Sequence, residues 1–255
     1  MTTAKPCYSC PKGLMDGYIT IHLDNLCRNQ CFHGYGGCSS TYERKVMDIP
    51  GVIANIEETL KQDPDVRIFL DAPNFLDVLL LRNFPNEPEN QNILLLREII
   101  KAGIKPYLRI ETTVDSLLEV DDRLDFFDFP RQAGVQEVWL GVESGSPELR
   151  DKYSKPSFDN DELAGITKLL HNAGIFCCWY LVVGYEDSSD SISTTEKIIR
   201  EAQPDRIFLI QLLPYDFDEH FVSLGALILR VPEIEKYQSR LQKIAQELDE
   251  KLCKT

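Results

Sequence analysis

Six short stretches of the chain are apolar and rich in Val, Ile and aromatic residues: GYITIHLD at 17–24, DVRIFLDAP at 65–73, KPYLRIET at 105–112, QEVWLGVES at 136–144, IFCCWYLVVG at 175–184 and RIFLIQLLP at 206–214. Runs of this length and composition predict β-strands. Between them the apolar spacing becomes helical in IPGVIANIEETLKQ, NQNILLLREIIKAG, DNDELAGITKLLHNAG and SSDSISTTEKIIREA, and two of these segments close on Ala-Gly, a helix stop. Strand and helix in alternation predict βαβ units and a parallel sheet. A last amphipathic helix is predicted over about 231–252, with Ile234, Tyr237, Leu241, Ile244 and Leu248 on one stripe that packs on the sheet or meets a partner. NFPNEPENQN at 83–92 reads as an exposed loop. With no internal repeat, low-complexity segment or linker, residues 1–255 are predicted to form a single domain with its core at about 17–214.

Side-chain parity divides each strand into two faces, because successive residues point to opposite sides. In the first strand Ile19, Ile21 and Leu23 oppose Thr20, His22 and Asp24; in the third, Leu108 and Ile110 oppose Tyr107, Arg109 and Glu111. Asp71 opposes Leu70, Glu143 opposes Val142, and Gln211 opposes Ile210 and Leu212. The polar member lies near the C-terminal end of its strand each time. With the apolar set against the helices, His22, Asp24, Asp71, Arg109, Glu111, Glu143 and Gln211 converge inside a curved sheet, at the end where βα barrels bind ligands. Any one of these residues alone is as easily an exposed or ion-paired strand residue. Agreement among the strands is what makes a site of them.

Composition narrows the function. The chain has 255 residues, 43% of them hydrophobic, enough for a sizeable core. A net charge of −14 disfavours a nucleic-acid groove, which needs exposed Lys and Arg, and favours small or cationic partners. The N-terminus MTTAKPCYSC lacks the apolar core of a secretory signal, and no apolar run reaches the roughly 20 residues of a membrane span, so the expected location is the cytoplasm, with no membrane partner. Eight cysteines are too few for a disulfide scaffold, so in a reducing compartment a tight cluster of them points to metal or redox chemistry.

Such a cluster follows the first strand. HLDNLCRNQCFHGYGGCSS at 22–40 places Cys27, Cys31 and Cys38 in a C-x3-C-x6-C array at the ligand-binding end. Thiolates this close suit zinc or an iron–sulfur cluster. A structural zinc site wants four closed ligands, and His33 within the loop could complete Cys3His. The alternative is a four-iron cluster held by three thiolates with its fourth iron open. Cys7 and Cys10, in CYSC, form a C-x2-C pair that either joins a second metal site or supplies ordinary thiols.

The chain resembles the radical S-adenosylmethionine enzymes from about residue 17 to 214. GVQEVWLGVESGSPELRDKYSK is similar to their fourth-strand segment, where Gly-Val-Glu-Ser-Gly precedes a helix, and NAGIFCCWYLVVGYED is similar to their fifth. The three cysteines match their usual C-x3-C-x2-C with the second spacing widened by FHGYGG, and LDAPNF occupies the second-strand place that often reads Gly-Gly-Glu, without its glycines.

The resemblance implies a partial (β/α)6 barrel with a C-terminal amphipathic helix, and a [4Fe-4S] cluster ligated by Cys27, Cys31 and Cys38. It implies reductive cleavage of S-adenosylmethionine to a 5′-deoxyadenosyl radical that abstracts hydrogen from a substrate. The electron donor implied is a reducing protein such as flavodoxin or ferredoxin. Asp71, Ala72 and Pro73 would hold the methionine amino group, Glu143 and Ser144 the ribose, and Arg109 or Glu111 the methionine carboxylate or the ribose. Val182, two residues before Gly184, would touch adenine, as would Tyr35 or else Phe32. Within the lumen Cys178, Tyr180 and Gln211 are the candidate groups for handling a substrate: parity turns Cys178 and Tyr180 inward with Val182, and sends Cys177, Trp179 and Leu181 toward the helices. A lumenal thiol at Cys178 could return a hydrogen atom to a substrate radical; the plainer role is packing. The preferred substrate is a small biosynthetic or natural-product metabolite, with a peptide or tRNA as alternatives. A zinc-stabilised module and a non-catalytic iron–sulfur protein are the competing non-enzyme readings.

Overall fold

The computed structural model describes residues 17–23, 47–72, 74–76, 91–118, 123–153, 158–184, 187–212 and 224–252. All six apolar runs form strands: β1 (Tyr18–His22), β2 (Arg67–Asp71), β3 (Tyr107–Thr112), β4 (Val135–Glu143), β5 (Phe176–Gly184) and β6 (Arg206–Leu212). They make one sheet in the order β1 to β6, every neighbouring pair parallel. Among the described residues β1 and β6 are not paired with each other, so the barrel is partial. The sheet is nevertheless strongly curved. The Tyr18 hydroxyl on β1 donates to both carboxylate oxygens of Glu137 on β4 at 2.8 Å. Three strand spacings in a flat sheet would separate the two backbones by about 14 Å, so the side chains meet across a trough.

The four helices legible in the sequence are α1 (Ile49–Gln62), α2 (Gln91–Ala102), α6 (Asn160–Asn172) and α7 (Ser189–Ala202); α3 (Val114–Leu118), α4 (Arg123–Gln132) and α5 (Pro147–Lys152) lie between them. Their starts follow capping chemistry. The Asp48 carboxylate accepts from the Gly51 amide, and Asp159 and Ser188 open α6 and α7 with reciprocal capping boxes. The Ala-Gly stops behave as expected: Gly103 and Gly174 take φ of +70° and +71°, the left-handed geometry that ends a helix. The terminal helix α8 (Leu224–Leu252) starts seven residues before the predicted 231, because the apolar run before Pro232 continues in helical form.

The two sheet faces differ as parity requires. Ile68, Leu70, Leu108, Ile110, Leu140 and Trp179 are at 0% exposure and face the helices, where Ile56, Leu95, Ile166 and Ile199 meet them. Ile21 joins this core, whereas Ile19 on the edge strand stays 45% exposed. The opposite face lines the trough.

Candidate functional site

The trough is layered along the strand direction. At its N-terminal end Glu137, almost fully buried, accepts hydrogen bonds from the hydroxyls of Tyr18 at 2.8 Å and Tyr107 at 2.6 Å and from the Trp139 indole at 3.1 Å. A buried carboxylate needs such donors to remain charged. Burial and the adjoining Glu137 push the Tyr18 phenol far above its ordinary range, so it keeps its proton and donates. Beside this group Cys178 lines a narrow crevice with Phe176, Asp205, Arg206 and Leu252. Burial, then the charge of Glu137, holds its thiol well above the ordinary value.

The middle layer is aromatic and cationic. The Arg109 side chain is wholly buried, with its guanidinium 4.2 Å from the Trp139 ring centroid and 4.5 Å from that of Phe69. Arg109 Nη2 donates to Glu111 Oε1 at 2.8 Å and to the Tyr180 hydroxyl, which in turn donates to Glu111. Burial alone would lower the Arg109 pKa, but Tyr180 and Glu111 outweigh it and raise it. Burial first, then Glu111, raises that of Tyr180. The triad is therefore a cation, a phenol and a carboxylate that hold one another in place. Trp139 and Phe208 flank the Tyr180 ring at centroid distances of 5.0 and 5.9 Å.

Carboxylates and an apolar shelf mark the C-terminal rim. Asp71 Oδ2 lies 2.6 Å from His22 Nδ1, its register partner on β1, with 30% of the Asp71 side chain exposed. The Glu111 side chain is 24% exposed. β4 slips register between Gly141 and Glu143, and Glu143 takes φ +65°, an uncommon conformation for a residue with a side chain. The turn beyond it is anchored: Thr195 Oγ1 accepts from the Gly145 amide at 3.0 Å, and the Ser144 hydroxyl accepts from the Ser146 amide at 3.1 Å. Next to this turn Val182 packs with Leu149, Tyr153 and Ile210. Asp187 secures the end of β5, accepting from the Gly184 amide at 2.8 Å and from the Ser191 hydroxyl at 2.9 Å.

No family model matches the chain. It is 27% identical over 194 residues, 76% of its length, to the anaerobic magnesium-protoporphyrin IX monomethyl ester cyclase of Rubrivivax gelatinosus, and spans 32% of that protein. Among solved structures it superposes on the radical S-adenosylmethionine methyltransferase TsrM of Kitasatospora setae, solved with cobalamin and a [4Fe-4S] cluster, with a TM-score of 0.56 at 15% identity over 75% of this chain and 36% of that one. Coproporphyrinogen III oxidase of Escherichia coli, a radical S-adenosylmethionine enzyme, gives 0.54 at 16% identity over 88% of this chain and 52% of that one. Methylornithine synthase gives 0.55 at 16% over 85% and 62%. The chain has the radical S-adenosylmethionine fold.

Within that fold the expected rim residues Asp71, Ala72, Glu111, Glu143, Ser144, Val182 and Gly184 all lie at or next to the C-terminal ends of β2 to β5. The Arg109 guanidinium, expected at the methionine carboxylate or the ribose, is buried in the middle layer and engaged by Glu111 and Tyr180. Cys178 and Tyr180 line the trough while Cys177, Trp179 and Leu181 enter the helix-side core. Cys178, however, lies toward the N-terminal end, with the Tyr180 ring between it and the rim along the same strand face. Gln211, expected inside the trough, pairs on β6 in register with Val183 of β5, a helix-side core residue, while its neighbour Ile210 packs with Val182; the register puts the Gln211 position on the helix-side face. Cys27, Cys31, Cys38, Tyr35, Phe32, His33, Asp24, Pro73, Cys7 and Cys10 lie outside the described residues. Among the described residues no group of three His, Cys, Asp or Glu is arranged to hold a metal, and no helix is long and apolar enough to cross a membrane. Sequence reasoning missed Trp139, Glu137 and Arg150. The parity that turned Glu143 inward also turns Glu137 and Trp139 inward; Arg150 carried no comparable signal.

Proposed function

We propose that the chain is a radical S-adenosylmethionine enzyme acting on a small molecule, with a [4Fe-4S] cluster on Cys27, Cys31 and Cys38 and S-adenosylmethionine at the C-terminal rim. The observation that carries this reading is the rim itself. Partly exposed carboxylates on β2 and β3, a left-handed Glu143 ending β4 and an apolar shelf around Val182 gather at one end of a trough whose other end is closed by the Glu137 network. These residues fit the cofactor chemically: an ammonium and a ribose need acceptors, and adenine needs an apolar face. The segment bearing the three cysteines follows β1 in sequence, and β1 ends at this same rim.

In this reading Asp71, with the backbone at Ala72 and Pro73, binds the methionine amino group, and Glu143 and Ser144 receive the ribose hydroxyls. Val182 and Tyr35 contact adenine, and Gly184 gives close backbone approach. Glu111 meets the methionine or the ribose, while Arg109 serves as its counter-charge from below. Tyr180 lines the space for substrate, and the aromatic middle layer excludes water beneath it. When bound, the cluster supplies the electron that cleaves S-adenosylmethionine and so makes a hydrogen-abstracting radical available. The electron would come from a reducing protein such as flavodoxin or ferredoxin. A net charge of −14 favours a small, neutral or cationic substrate over a polyanion.

Anaerobic purification followed by iron and zinc analysis tests the ligand set. Iron–sulfur absorption near about 400 nm is expected in the unaltered protein and is expected to be lost from Cys27→Ala, Cys31→Ala and Cys38→Ala. A colourless protein carrying one zinc would reject the reading in favour of a structural metal site.

A further inference from the structure

Arg150 on α5 is 1% exposed. Its bonds converge on one place. Nη1 donates to the Ser144 carbonyl at 2.8 Å and to Asn160 Oδ1 at 3.1 Å, Nη2 donates to the Phe158 carbonyl at 2.8 Å, and the guanidinium lies 4.3 Å from the Phe158 ring centroid. Asn160 Nδ2 donates to the Gly145 carbonyl at 3.0 Å. Two successive carbonyls of the β4–α5 turn are thus pinned from one side.

From the other side α7 closes on the same turn. Thr195 Oγ1 takes the Gly145 amide, and a Cβ at Gly145 would stand 2.5 Å from Thr195 Cα and 2.7 Å from Ile198 Cγ2. The residue immediately before this clamp is Glu143, at φ +65°. A side-chain-bearing residue stays in that region only where its surroundings over-determine it, and such positions concentrate at functional sites. Burying a guanidinium is costly unless its donors are satisfied, so an arginine here is a demanding way merely to fill space; a leucine would suffice.

We propose that Arg150 and its partner Asn160 are positioning residues that hold the Glu143–Ser144 backbone in the conformation that receives the ribose. The inference rests on the reading of the rim given under Proposed function and goes beyond it in assigning roles to two residues that touch no ligand. Releasing either arm lets the turn relax, so the nucleoside loses its pre-formed acceptors while the cysteine loop, on another element, is unaffected.

The test uses the anaerobically reconstituted protein and S-adenosylhomocysteine, an unreactive probe, by titration calorimetry. Arg150→Lys and Asn160→Ala are each expected to weaken binding about tenfold with iron content unchanged, and to raise KM for S-adenosylmethionine more than they lower kcat. A role confined to stability would lower the unfolding midpoint but leave the probe's Kd at the unaltered value in the folded, iron-loaded protein; that result overturns the inference. Should Arg150→Lys fail to fold, Asn160→Ala decides alone, since it removes only the hydrogen bonds of one side chain at the start of α6. Failure of the unaltered protein to bind the probe would instead overturn the functional reading beneath the proposal.

Discussion

Cys177 and Cys178 are neighbours in the chain and occupy opposite environments. The Cys177 sulfur sits in the helix-side core 3.7 Å from the Thr167 hydroxyl, and burial pushes its thiol from 9.0 up to about 12. A raised thiol pKa means that stability is fully present below pH 9 and is lost as pH rises toward 12, because the unfolded chain gives up its proton first. Each pH unit in that window removes up to about 1.4 kcal/mol per proton. Urea unfolding followed from pH 8 upward is expected to show this slope, and Cys177→Ala to flatten it by one proton. Cys178, below the Tyr180 ring, is placed for packing: Cys178→Ala is expected to cost about 0.5–3 kcal/mol of stability and still to form the normal product once the substrate is known. Formation of 5′-deoxyadenosine without that product would make the thiol a hydrogen donor after all. Parity alone separated the two cysteines. It could not show how far along the trough Cys178 lies from the rim, because depth depends on the rings above it.

The strands were legible as elements because each is a compact apolar run, and the long helices because their caps and Ala-Gly stops are local chemistry. The short helices were not. α3 and α5 have five and six residues, too few for a helical period to register, and α4 carries Pro130 within it. Yet α5 supplies Arg150, and the turn that precedes it shapes the rim. Glycine substitutions separate this turn from ordinary helix surface. Gly145→Ala forces its Cβ against α7 backbone and is expected to destabilise by about 1–3 kcal/mol. Gly165→Ala, inside α6 with nothing within 4 Å of the new methyl, is expected to stabilise by about 0.5–1 kcal/mol. Thermal unfolding of the two variants checks both signs.

For the whole molecule, alternation of strand and helix predicted the parallel sheet, and the inward polar set marked one end of it as the candidate site. What could not be read was how the trough is filled. Parity turned Arg109 inward, but its partners Glu111 and Tyr180 are 2 and 71 positions away, and only the curvature of the sheet brings Tyr180 to it. Removing one member of a buried charged group leaves the other uncompensated, so Arg109→Ala is expected to cost about 3–5 kcal/mol in chemical denaturation, well above the cost of an exposed arginine.

The central claim is that this trough and its three-cysteine loop together cleave S-adenosylmethionine. The direct measurement is chromatographic assay of 5′-deoxyadenosine from the anaerobically reconstituted protein incubated with dithionite and S-adenosylmethionine. The account predicts 5′-deoxyadenosine from the unaltered chain and none from a variant in which Cys27, Cys31 and Cys38 are all alanine. A protein that carries a full iron–sulfur cluster and binds S-adenosylmethionine, yet forms no 5′-deoxyadenosine under reduction, would contradict it.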